Sequence, residues 1–90
     1  MIEKYISWQK IDSAVYLCDE RTDEYVFLNE TAAYVFEGLI NSVPLSEMSK
    51  ELAARYGIDE EETYTDVKAV AISMIDMGIF AEGVSDNVTA

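Results

Sequence analysis

Apolar residues alternate along the first third of the chain and then recur at three- and four-residue steps. The two periods meet inside Tyr25-Val-Phe-Leu-Asn-Glu-Thr-Ala-Ala-Tyr-Val-Phe36. Residues 25–28 are aromatic or branched, which suits a pleated strand. Asn29 is a preferred cap whose side-chain oxygen can accept a first-turn N–H, so the strand is predicted to run into a helix with no loop between them. Upstream, residues 5–11 alternate loosely, with Ile6 and Trp8 on one face and Ser7 and Gln9 on the other. Residues 14–18 are apolar on both faces, and the polar link 19–24 has hairpin length, so three strands are predicted to form an antiparallel meander.

Helical spacing governs the rest. Ala33, Phe36, Leu39 and Ile40 form one stripe over residues 30–41, across Gly38, a residue that weakens helices. Pro44 suits a first helical position, and Leu45, Met48, Leu52 and Tyr56 mark a second stripe that stops at Gly57, a natural left-handed C-cap. Asp59 followed by Glu62 resembles a capping box, with Glu60 and Glu61 also favourable at the positive helix end. Val67, Val70, Ala71, Met74 and Ile75 supply a third buried face, which ends near Met77 with Gly78 as its stop. Ile79, Phe80 and Ala81 are predicted to fold back as an extended piece against the helices. The domain is placed at 1–82, and the small, polar residues 83–90 read as a flexible tail.

Ninety residues, half of them apolar, support one core and not two. No apolar run approaches the ~20 residues that span a bilayer, and the first residues lack the build of a secretory signal, so a cytoplasmic chain is expected. Cys18 is the single cysteine and histidine is absent, which leaves no internal disulfide, no Cys/His metal cluster and no imidazole base. The net charge of −12, from 18 acidic against 6 basic residues, repels nucleic-acid backbones and anionic membranes. It steers instead toward a basic surface or a peptide bearing lysine or arginine.

No residue reads as catalytic or as a metal ligand, and no cofactor is implied. Cys18, beside Leu17 with no cation near, reads as a core residue. The acidic run 59–62 lacks the spacing and glycine of a calcium loop and reads as helix capping. Asp19, Glu20, Asp23 and Glu24 read as solvated, since paired-carboxylate hydrolysis needs a cleft that so small a chain can hardly build. Met74 and Met77, with Met48, could form an adaptable peptide-binding lining, although core filling is the simpler role for Met74 and Met48. Tyr25 and Phe27 point away from the core if Val26 and Leu28 face the helices, which suggests an interface or edge packing. Helices two and three make a helix-turn-helix, but the third carries Asp59, Glu60, Glu61, Glu62, Asp66 and Asp76 against Lys68, which opposes DNA contact.

Across this framework the chain resembles the PqqD-like family, small recognition domains for ribosomally made, modified peptides. The resemblance is carried by Val15-Tyr-Leu-Cys-Asp19, by Tyr25-Val-Phe-Leu-Asn-Glu-Thr-Ala-Ala33, by Leu45-Ser-Glu-Met-Ser-Lys-Glu-Leu52 with Arg55-Tyr-Gly57, and by Asp66-Val67 with Met74 and Gly78-Ile-Phe80. Its most specific element is Leu28-Asn-Glu-Thr-Ala32. It implies an α+β fold, a winged helix-turn-helix with a three-stranded antiparallel sheet followed by three helices, and no catalysis. It further implies that the domain binds the leader segment of a precursor peptide and presents it to a modifying enzyme, often a radical SAM enzyme. The leader would be added as a strand on Glu24, Tyr25, Val26, Phe27 and Leu28, in a groove lined by Asp66, Val67, Val70, Ser73, Met74 and Met77. Ala71 and Ile72 stand where bulkier or more polar residues are common, which leaves room for a wider groove. Tyr25 or Phe27 would meet the enzyme or a second copy, so a homodimer stays open. The alternative is an acidic winged-helix scaffold or regulator docking a basic protein.

Overall fold

A computed structural model of the chain describes residues 2–80. Three strands come first, β1 (Ile6–Ile11), β2 (Ala14–Asp19) and β3 (Glu24–Leu28), and three helices follow, α1 (Glu30–Ile40), α2 (Leu45–Tyr56) and α3 (Glu60–Asp76). The sheet is antiparallel in the order β1-β2-β3. Asp12 and Asp23 take left-handed backbone at the two hairpins, φ 56° and 59°, a conformation that aspartate tolerates better than most residues. The second hairpin is closed by Asp19, whose carbonyl accepts from the amides of Thr22 and Asp23.

Register decides which side chains meet the helices. Val15 opposes Leu28 and Leu17 opposes Val26, so these four share the inner face, while Tyr16 opposes Phe27 and Cys18 opposes Tyr25 on the outer one. Asn29 behaves as predicted: its Oδ1 accepts from the amide of Ala32 at 3.0 Å, and α1 begins one residue after it. Phe36 is wholly buried, with Trp8 edge-on to its ring at 5.1 Å and Phe80 tilted against it at 5.7 Å. Such aromatic pairs contribute roughly 0.5–1.5 kcal/mol beyond the area they bury. Met48, Leu52, Val67, Ala71 and Met74 complete the core from α2 and α3.

Both punctuating glycines lie at the left-handed angles expected of them, Gly57 at φ 65° and Gly78 at φ 76°. Beyond Gly78 the chain returns to its own beginning. The amide of Glu3 donates to the Ile79 carbonyl, the Tyr5 hydroxyl donates to the Gly78 carbonyl at 2.9 Å, and Ile2 pairs with Phe80 in an antiparallel bridge. The predicted fold-back is thus realised at Ile79 and Phe80, both buried. Ala81 and the proposed tail 83–90 lie outside the described residues.

Some expectations are corrected. Cys18 is not in the core: its register with Ser7 and Tyr25 puts it on the outer face, where it is only partly covered. Tyr56 continues the α2 stripe in spacing but sits at the last helical residue and is 49% exposed. Ser49 fills the interior in its place, its hydroxyl donating to the Leu45 carbonyl. Pro44 is the N-cap of α2 and not its first helical residue, its carbonyl accepting from the amides of Glu47 and Met48.

Candidate functional site

Because β2 occupies the middle of the sheet, β3 pairs with one strand only among the described residues. An antiparallel strand directs alternate backbone N–H and C=O groups to either side, so the outer edge of β3 presents unpaired donors and acceptors. Five residues give that edge roughly 17 Å of length. Its inner face carries the half-buried Val26 and the buried Leu28, and its outer face the exposed Tyr25 and Phe27.

Helix α3 supplies the second wall. Thr63, Val67, Ala71 and Met74 form its buried stripe. One residue earlier in each turn, Asp66, Val70 and Ser73 form a neighbouring, more exposed stripe that Met77 continues at the C-cap. Two hollows open along these walls. The first, about 200 Å³, lies at the β2–β3 hairpin end and is lined by Ile6, Leu17, Val26, Met77 and Ile79, with Asp19, Thr22 and Glu24 at its polar side. The second, about 230 Å³, lies between the first turns of α1 and α3 and the end of α2, lined by Thr31, Leu52, Tyr56, Ile58, Thr63, Asp66, Val67 and Val70.

Charge is distributed unevenly around the first hollow. Arg21 grips Asp19 with two bonds, Nε to Oδ1 at 3.1 Å and Nη2 to Oδ2 at 2.8 Å, and its guanidinium lies 3.7 Å above the Tyr5 ring. The bond from Arg21 holds the Asp19 carboxyl below the usual carboxylate range, and Asp19 in turn raises the Arg21 pKa. Burial, followed by a bond to Glu3, pushes the Tyr5 phenol up. The Glu24 carboxylate has no hydrogen-bond or ion-pair partner among the described residues, its backbone amide alone reaching the Thr22 hydroxyl. A second cluster ties α1 to α2. The Tyr34 hydroxyl donates to Glu51 Oε2 at 2.7 Å, and Arg55 bonds the other oxygen of that carboxylate. Burial first, and that bond second, push the Tyr34 phenol up to about 12.

The residues singled out from the sequence therefore divide. Glu24, Val26 and Met77 line one hollow, and Asp66, Val67 and Val70 line the other. Ser73 is exposed on the stripe between them without lining either, and Met74, 1% exposed, is a core residue beneath it. Tyr25 and Phe27 project from the opposite face of the strand, Phe27 against Tyr16 with ring centroids 5.1 Å apart. Spacing along the chain could not reveal Ile6, Leu17 and Ile79, because three separate segments must converge to make that floor. Tyr56 and Ile58 did carry a signal, two large apolar residues flanking the helix-ending Gly57.

Among the described residues no group of three acidic, cysteine or histidine side chains is placed to hold a metal, and no helix is long and apolar enough to cross a membrane. The groove is suited to receiving an extended chain, through backbone pairing on one side and apolar hollows on the other.

Solved structures with this arrangement include two proteins holding peptides. TbiB1, in complex with the TbiA(beta) leader peptide, is 20% identical with a TM-score of 0.77, over 91% of this chain and 94% of that one. A lasso peptide synthetase B1 complexed with the leader peptide is 25% identical with a TM-score of 0.79, over 88% of this chain and 93% of that one. No curated protein matches the sequence. The family described as coenzyme PQQ synthesis protein D (PqqD) matches residues 15–79, from the second residue of β2 to the buried Ile79. That span takes in both walls of the groove, and the chain belongs to the PqqD family.

Proposed function

We propose that this domain binds the leader segment of a ribosomally made precursor peptide and presents it to a modifying enzyme, acting by binding and not by catalysis. The carrying observation is the unpaired edge of β3 beside apolar hollows on α3, in a fold whose neighbours were solved with leader peptides bound. An incoming segment gains backbone hydrogen bonds along residues 24–28, while alternate side chains enter the hollows. Backbone pairing supplies sequence-tolerant affinity, and the hollows supply selection. A radical SAM enzyme is the partner suggested by the family resemblance, while one neighbour of this fold is a lasso peptide synthetase B1 complexed with a leader peptide. The proposal places the domain in the cytoplasm, where a ribosomal precursor emerges.

Isothermal titration with the leaders of small precursor genes encoded beside this one tests the reading. A cognate leader should bind saturably, and Met77→Lys should weaken it at least tenfold with the circular dichroism spectrum unchanged. Met77 is 41% exposed, so the change adds a charge to the hollow at little cost to the core. Absence of binding by every such leader would refute the proposal.

A further inference from the structure

We propose that the groove selects cationic leaders: segments whose apolar side chains enter the two hollows while lysine or arginine side chains pair with Glu24 and Asp66. The inference rests on the leader-binding reading and adds to it the chemical class of leader. Residues 19–24 and 60–76, which form the hairpin and α3 walls, hold nine acidic residues and two basic ones, more than half of the net charge of −12. Neither basic residue neutralises the groove. Arg21 is committed to Asp19 and to the Tyr5 ring. Lys68 lies two residues from both Asp66 and Val70, about 200° around the helix, and lines neither hollow.

Glu24 and Asp66 differ from the other acids of these walls. Each lines a hollow, and neither carboxylate has a hydrogen-bond or ion-pair partner among the described residues. Glu24 shares the inner face of β3 with Val26, and cross-strand neighbours stand about 4.5–5.5 Å apart at Cβ. A leader residue opposite Glu24 therefore sets its side chain beside that carboxylate. A lysine or arginine is attracted there and a carboxylate is repelled, so the walls reject acidic segments as well as favouring basic ones.

Selection from a random twelve-residue peptide library on the intact chain tests this, run in parallel on Glu24→Lys/Asp66→Lys and on the neutral Glu24→Gln/Asp66→Asn. Both positions are exposed, so the variants should fold, which circular dichroism checks. The wild type should enrich peptides pairing an apolar residue with lysine or arginine. The lysine variant should invert that preference and bind the best wild-type peptide about tenfold more weakly, and the neutral variant should lose the preference. Peptides that bind the groove with no charge bias, or with a bias both variants retain, overturn the inference and leave leader binding standing. A library from which no peptide binds the wild type overturns leader binding and this inference with it.

Discussion

Gly38 stands where α1 meets α2, and a Cβ built there runs into the side chain of Met48, itself 1% exposed within the core. Helix propensity alone would make Gly38→Ala stabilising by about 1 kcal/mol, but overpacking a closed core costs roughly 1–3 kcal/mol. The substitution should therefore lower stability, read as a lower urea midpoint with an unchanged slope. A one-dimensional pattern registers this glycine only as a weak helix former, because its reason for being there is a residue ten positions away. Cys18 was misread for a related cause: an apolar run has two faces, and the register with Tyr25 decides which one is core. Tyr34 yields a pH prediction. Its folded phenol is raised to about 12, so its contribution to stability is full below the unfolded value near 10 and is lost as pH rises from there toward 12. Alkaline titration by phenolate absorbance should show Tyr34 ionising above the usual tyrosine range, and Glu51→Gln should bring it earlier by replacing the charged acceptor of its hydroxyl with a neutral one.

At the level of elements, boundaries written by caps and turns were legible in advance. Asn29, Gly57, Asp59 and Gly78 each act through local backbone geometry, and each sits at the predicted edge of its helix. Asn29→Ala removes the acceptor for the Ala32 amide and should cost about 1 kcal/mol, or a thermal midpoint lower by roughly 4–8 °C in a chain of this size. The edge status of β3 was less accessible. Three consecutive strands in a meander leave the third exposed only if no later segment covers it, and among the described residues Ile79 and Phe80 run against Glu3 and Ile2 instead. The groove walls could be named through the resemblance, whereas its floor, Ile6 with Leu17 and Ile79, exists only once β1, β2 and the end of the chain have closed together.

For the whole molecule, one small core must hold both the sheet and three helices, and Phe36 is its junction. The ring touches Trp8 of β1 and Phe80 of the returning segment, so Phe36→Ala should cost about 3–5 kcal/mol, enough to unfold much of the population of a marginal 90-residue domain in chemical denaturation. That economy also explains why the binding surface lies at an edge: a chain with no interior volume to spare for a cleft can offer backbone at its margin and shallow hollows beside it. The account is tested most directly by an amide NMR titration of the isotope-labelled chain with leader segments encoded beside its gene. Leader binding at the groove predicts saturable shifts concentrated at residues 24–28 and along residues 66–77, with new protection of β3 amides from exchange. Saturable shifts confined to β1 and β2, or none with any leader, would contradict it.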